Sequence, residues 1–263
     1  YWIYSKMKNF LPSQYKKDNK IKLNHSYLVE QFSDYSKIFK KIKDVVKKGD
    51  YTLGEEVIKF EENIKKITGA KYALGVGNGT DALYLVLKAL DIGKNDEVIT
   101  TPFTFIATVG SIVTAGAKPV FVDVKDDYNI DENKIEKFIN KKTKAIMPVH
   151  WSGRPCEMKK IFKIAKKYNL KVVEDACMGI GAKILKRSPG SFGNVNAFSM
   201  HPLKSLNVMG DGGIVTTNNK KIFEWIKKFR NHGMVDRDHI DFWGINMRMQ
   251  PLQAIVALEG LKK

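Results

Sequence analysis

The stretch KYALGVGNGTDALYLVLKAL, residues 71–90, decides the fold. KYALGV (71–76) is a short apolar run of strand character. It meets a Gly-Asn-Gly-Thr turn, and Thr80 to Leu90 then carry helical spacing. A strand, a glycine turn and a helix in that order form the opening of an α/β unit. Downstream the unit recurs. DEVIT (96–100) precedes a helix from about Thr104 to Thr114, and KPVFVDV (118–124) precedes one from Asp131 to Ile139. KAIMPVH (144–150) precedes one from Glu157 to Tyr168, and KVVEDA (171–176) follows. Strands alternating with helices of this length predict an α/β fold, a mixed, mostly parallel sheet flanked by helices on both faces. NVNAFSM (194–200) and GGIVTT (212–217) have no long helix between them, so at least one of them should run in the opposite sense. A helix from about Lys220 to Arg230 comes next. Upstream, Val29 to Lys48 reads as a helix with Phe39, Ile42 and Val46 inside. Residues 51–70 read as a turn and a helix lined by Val57, Phe60, Ile64 and Ile67 and ended by Gly69. Residues 1–26 show no clear period.

Composition narrows the function. The chain has 263 residues and a formal charge of +17. Its lysines are scattered singly and in pairs such as Lys47-Lys48 and Lys166-Lys167, with no tract of like charge. The pattern is that of a solvated basic surface, and no nucleic-acid partner is expected. The two cysteines, Cys156 and Cys177, form neither a disulfide framework nor a metal spacing, so reduced, half-buried thiols in a cytoplasmic protein and no metal are expected. No run of about 18 apolar residues would span a membrane, and no signal peptide is visible. The chain begins at Tyr1 and stops at Lys263 after a helical stretch, as a fragment would.

In such sheets ligands sit beyond the carboxyl ends of the strands, and three features lie there. The Gly-Asn-Gly-Thr turn before a helix offers backbone N–H groups and a partial positive charge to a phosphate, though such turns also occur without a ligand. Asp175 closes a buried strand, where an acid either points into the crevice or caps the next helix. Lys204 sits in FSMHPLKSLNVMGDGG (198–213), where a lysine either becomes a nucleophile in a desolvated pocket or snorkels to water. Together the three make the protein's side of a pyridoxal 5'-phosphate site: cradle, ring-nitrogen partner and Schiff-base amine.

The words YTLGEEVIKFE, GNGTDALYLVLKALDIGKNDEVITTPFTFIAT, GAKPVFVDV, TKAIMPVHWSG, VVEDAC, FSMHPLKSLNVMGDGGIVTT, RNHG and WGINMRMQPLQA, spread over about residues 51–258, resemble the DegT/DnrJ/EryC1/StrS sugar aminotransferases. The resemblance implies a pyridoxal-phosphate-binding large domain over 51–245, after an N-terminal segment and helix at 1–50. Residues 246–263 would start the link toward a smaller C-terminal domain missing here. It assigns the Schiff base to Lys204 and the ring nitrogen to Asp175. Gly79, Thr80, Asp81 and Ser199 would hold the phosphate, and Phe105 would stack on the ring. Asn246 would reach the phosphate site of the other subunit of a homodimer. His201 and Arg248 are candidate substrate contacts, although a packed structural role suits His201 equally. Met178 stands where the family often has a glutamine near the cofactor hydroxyl, and a thioether cannot donate that hydrogen bond. The implied substrates are an amino-acid donor, glutamate by resemblance, and a nucleotide-linked keto-sugar. Two alternatives remain open. One is a dehydratase of the same family, which carries histidine where Lys204 stands. The other is a non-catalytic regulatory protein that binds the cofactor.

Overall fold

The computed structural model describes residues 18–24, 27–184 and 186–262. The sequence reading of 1–26 therefore falls mostly outside the described residues. Eight α-helices and seven strands are described. In chain order they are α1 (Leu28–Gln31), α2 (Ser36–Lys48), α3 (Glu55–Thr68), β1 (Tyr72–Val76), α4 (Gly79–Lys88), β2 (Glu97–Thr100), α5 (Ile106–Thr114), β3 (Lys118–Phe121), β4 (Thr143–Ile146), α6 (Met158–Lys167), β5 (Lys171–Asp175), β6 (Val195–Ser199), β7 (Gly213–Thr217), α7 (Lys220–Phe229) and α8 (Pro251–Gly260).

The strands form one sheet in the order β1-β7-β6-β5-β4-β2-β3. β7 pairs antiparallel with both β1 and β6, and every other pair is parallel. A single reversed strand thus leaves the carboxyl ends of the six others on one edge, with the start of β7 among them. Side chains alternate across the sheet. Val173, Ala197 and Val215 belong to a core that includes Leu83 and Leu87 of α4 and Ile112 of α5. Phe198 and Ile214 face the other way, against Phe60 and Ile64 of α3 and Ile255 of α8. Val172 and Ile146 pack there too, beside Ile161 of α6. Each buried Leu, Ile or Phe contributes about 1.5–3 kcal/mol relative to exposure, so helix layers on both faces hold the sheet.

The mixed, mostly parallel sheet is as expected, and three local expectations are corrected. The span 29–48 is not one helix: Ser33 and Asp34 interrupt it, with the Ser33 hydroxyl donating to the Glu30 carbonyl and the Asp34 carboxylate accepting from Ser36. In α2 the buried residues are Ile38 and Val45, while Phe39 and Val46 lie exposed beside that stripe and Phe39 packs edge-on against Tyr35. Residues 131–139 hold only one 3-10 turn, Ile135–Phe138. Asp131 there accepts from the backbone and side chain of Asn133, and buried Glu132 is bound by Lys125 and Lys160. Side-chain bonds of this kind compete with an extended helix. In α3, Val57, Phe60 and Ile64 are buried as expected, Ile67 is only half-buried, and Gly69 ends the helix at φ 77°.

Candidate active site

The site grows from the carboxyl edge of the sheet. After β1 the chain turns through Gly77 and Asn78 into α4. The Asn78 side chain accepts from the Asp81 N–H at 2.8 Å and caps the helix. Two glycines let this turn lie flat on the neighbouring strands. A Cβ on Gly79 would stand 2.6 Å from the Cβ of Ser199, at the end of β6. A Cβ on Gly213, at the start of β7, would strike the Asn78 carbonyl. The helix N-terminus, with Thr80 exposed in its first turn, therefore stands directly against Ser199. Those are the donors a phosphate requires. Burial, with the nearby charge of Asp211, pushes the Asp81 carboxyl above its ordinary value, against the opposing bond with Asn78.

Two consecutive acids end β5, and their directions differ. Glu174 is fully buried and faces away from the crevice. Its Oε1 accepts from the N–H groups of Phe192 and Gly193, and its Oε2 accepts from the Gly190 N–H at 2.9 Å. His150 Nε2 lies 2.8 Å from the same Oε2. The His150 Nδ1 accepts the Cys156 N–H, so the proton sits on Nε2 and is donated to Glu174. Asp175 is 3% exposed. Its Oδ2 accepts from the Thr108 hydroxyl at 2.7 Å and its Oδ1 from the Cys177 N–H at 3.2 Å.

Lys204 follows β6 in a turn whose N–H bonds the His201 carbonyl. Its amine reaches Met178 Sδ at 3.1 Å, three residues beyond Asp175. Asn207 holds the turn in place by donating to the carbonyls of Pro202 and Lys204 and to the Gln31 side chain. The Cys177 thiol lies within the fields of both charged groups. Burial, the Asp175 charge and a bond to that carboxylate push it up, and Lys204 opposes them. His201 donates its N–H to Ser199 Oγ at 3.3 Å, and its Nδ1 accepts from Leu203 N–H. Burial lowers its imidazole pKa; Asp211 opposes that shift and Lys204 adds to it.

The remaining candidates flank this crevice. Phe105 caps α5 with a largely exposed ring, 69% accessible. It joins the others through its neighbour Thr104, whose hydroxyl lies 2.7 Å from that of Thr108. Asn246 is exposed and bridges Asn231. Arg248 donates from Nε to Asn246 and from Nη1 to Asn231. This segment runs beside the turn between β1 and α4 of its own chain, with Arg248 bridging Val76 and Gly77 N–H donating to the Met247 carbonyl. The structure therefore brings together Gly79 with Ser199, Lys204 with Met178, and Arg248 with Asn246. Sequence reasoning missed Thr104, Thr108 and the His150–Glu174 pair. Thr108 lies within the quoted word FTFIAT, but nothing in its spacing foretells a partner 67 positions away.

Residues 33–263 match the DegT/DnrJ/EryC1/StrS aminotransferase family. The chain belongs to that family. It is 40% identical over 231 residues to the pleiotropic regulatory protein of Geobacillus stearothermophilus, covering 87% of this chain and 62% of the relative. It is 44% identical over 213 residues to the dTDP-3-amino-3,6-dideoxy-alpha-D-galactopyranose transaminase of Aneurinibacillus thermoaerophilus, covering 81% and 59%. Among solved structures it matches DesV of S. venezuelae in complex with a ketimine intermediate. That match has a TM-score of 0.88 and 34% identity, over 91% of this chain and 65% of that one. The chain thus spans about three fifths of the length of the curated relatives it matches. The sheet and its helix layers are the fold shared with the DegT DnrJ EryC1 StrS aminotransferase from Brucella abortus, at a TM-score of 0.87 and 34% identity over 91% of this chain and 67% of that one. No helix among the described residues is long and apolar enough to cross a membrane.

Proposed function

We propose that this chain is the cofactor-binding part of a pyridoxal-phosphate-dependent aminotransferase that carries an amino group from an amino acid to a nucleotide-linked keto-sugar. One observation carries the reading: the Lys204 amine rests on Met178, three residues from the buried Asp175, at the edge where the α4 N-terminus abuts Ser199. The donor set fits the group. The α4 N-terminus and the Ser199 hydroxyl suit a dianionic phosphate, and Asp175 suits a protonated ring nitrogen. Pyridoxal phosphate, when bound, supplies an aldehyde for amines and an electron sink for the carbon beside them.

The protein residues then have separable tasks. Gly79, Thr80 and Ser199 hold the phosphate end through backbone and hydroxyl donors, while Asp81, whose N–H is taken by the Asn78 cap, shapes the turn. Asp175 keeps the ring nitrogen protonated. Phe105 covers one face of the ring. Lys204 would supply the amine for the covalent link to the cofactor and, when free, a base able to move a proton beside it. His201 and Arg248 face the incoming substrate, and Asn246 serves the phosphate site of a second subunit in a homodimer. Glutamate is the amino donor, and two half-reactions at one site give ping-pong kinetics. The domain division, 51–245 for the cofactor and 246 onward as the link to a further domain, belongs to the same reading, as does a cytoplasmic location. The sugar acceptor follows from the Aneurinibacillus relative, a named dTDP-sugar transaminase.

Spectroscopy tests this directly. The protein mixed with pyridoxal phosphate should acquire a visible absorbance band that Lys204→Ala abolishes. A screen of nucleotide keto-sugars with glutamate should then find an acceptor. The regulatory name of one relative favours a second reading, a cofactor-binding protein without turnover. Under that reading the band forms but no keto-sugar is aminated.

A further inference from the structure

Thr108 and Thr104 connect two parts of the site that the sequence keeps apart. Thr108, 1% exposed in the first turn of α5, donates its hydroxyl proton to Asp175 Oδ2 at 2.7 Å. A hydroxyl has one proton to give. The 2.7 Å contact between Thr104 and Thr108 must therefore have Thr104 as donor. The hydrogen bonds run in one direction, from Thr104 through Thr108 to Asp175. On the opposite side Oδ1 is held by Cys177 N–H. Oδ2 thus takes the Thr108 hydroxyl and Oδ1 the Cys177 N–H, and with the Cys177 thiol bound to the same carboxylate these donors set the rotation of the group. Thr108 is itself fixed, because Ser111 Oγ donates to its carbonyl. Thr104 is half-buried in the loop that carries Phe105.

We propose that Thr108, supported by Thr104, is a positioning residue that aims the Asp175 carboxylate and ties it to the Phe105 loop, so that one hydrogen-bond chain sets both the edge and the face contacts of the ring. This inference rests on the cofactor reading above. Removing the Thr108 hydroxyl leaves Oδ2 without its donor and frees the carboxylate to turn. Removing the Thr104 hydroxyl leaves Asp175 its donor but cuts the chain to the loop.

The test is a titration of the apoprotein with pyridoxal phosphate, followed by absorbance, for wild type, Lys204→Ala, Thr108→Val, Thr108→Ser and Thr104→Val. Thr108→Val should bind about tenfold more weakly, the order of one lost hydrogen bond to a charged group. Thr108→Ser, which keeps the hydroxyl and loses the methyl, should stay within about threefold of wild type, and Thr104→Val should fall between the two. If Thr108→Val binds as tightly as wild type, or Thr108→Ser is as impaired as Thr108→Val, the positioning role is wrong. Should Thr108→Val fail to fold, Thr104→Val decides, and unchanged affinity there also overturns the proposal. Wild type that acquires no band at all refutes the cofactor reading instead, so the two failures are distinct.

Discussion

Glu174 and Asp175 are neighbours on one strand and both are buried, yet they sit in different chemistry. Glu174 has every approach filled: three backbone N–H groups and an imidazole N–H converge on its two oxygens. Asp175 has fewer donors, the Thr108 hydroxyl and the N–H and thiol of Cys177, and shares its surroundings with Lys204 through that thiol. A buried acid whose acceptors are all used has no capacity left for a ligand; one with capacity to spare at a strand end can take a ring N–H. The accounting of donors, more than burial or position, separates a saturated acid from one that can still accept a ligand's proton.

The sharpest way to break this contrast is to convert each acid to its amide. In Glu174→Gln the new NH₂ must face donors whichever way it is turned, and His150 cannot switch tautomer without losing the Cys156 N–H. The cost should be about 2–5 kcal/mol in urea denaturation, from buried donors left unsatisfied. Asp175→Asn should cost less than about 1 kcal/mol, because the Thr108 hydroxyl can rotate to accept from the amide, while binding of pyridoxal phosphate falls. Equal losses of stability in the two variants would erase the distinction.

The α4 N-terminus, the proposed phosphate end, sharpens the same comparison. Gly79→Ala drives a methyl group against Ser199, so it should cost about 1–3 kcal/mol as overpacking does and weaken cofactor binding as well. A variant that melts with the wild type would show that the α4 N-terminus is not packed on β6 as described.

A smaller effect is expected from Asp81. Its carboxyl pKa is raised in the fold, chiefly by burial. The folded chain therefore keeps a proton that the unfolded chain has already lost. Stability should decline as pH rises from the ordinary carboxylate range through the raised value. Asp81→Asn should flatten that slope in urea midpoints measured across the range, whereas an unchanged slope would assign it to other groups. Smallest in energy, but simple to read, is thiol reactivity. Burial pushes both Cys156 and Cys177 up, so neither should react with a disulfide reagent near neutral pH until the protein is denatured.

Much of this was legible in the residues. Alternating strand and helix patterns predicted the sheet, and the missing helix between the last two strands predicted that at least one of them is reversed; it is β7. Glycine turns, the strand-end acid and the embedded lysine marked the residues on which the proposed site rests, because each breaks a local habit of composition. On α2, Ile42 packs against the core as expected, but Phe39 and Val46 were each read one position off, since Ile38, Phe39, Val45 and Val46 offer two nearly equivalent stripes and only packing against α8 chooses between them. The helix expected at 131–139 failed because Asp131 and Glu132 have better partners than a helix provides. Thr108 stayed silent for another reason: its meaning lies in a single contact between α5 and β5, and no periodicity encodes such a contact.

The central claim is a covalent one, and borohydride tests it most directly. Protein loaded with pyridoxal phosphate, reduced, digested and mapped by mass spectrometry should carry the tag on the peptide containing Lys204, and Lys204→Ala should carry none at that site. A tag found mainly on another lysine, or equally abundant in Lys204→Ala, would contradict the assignment.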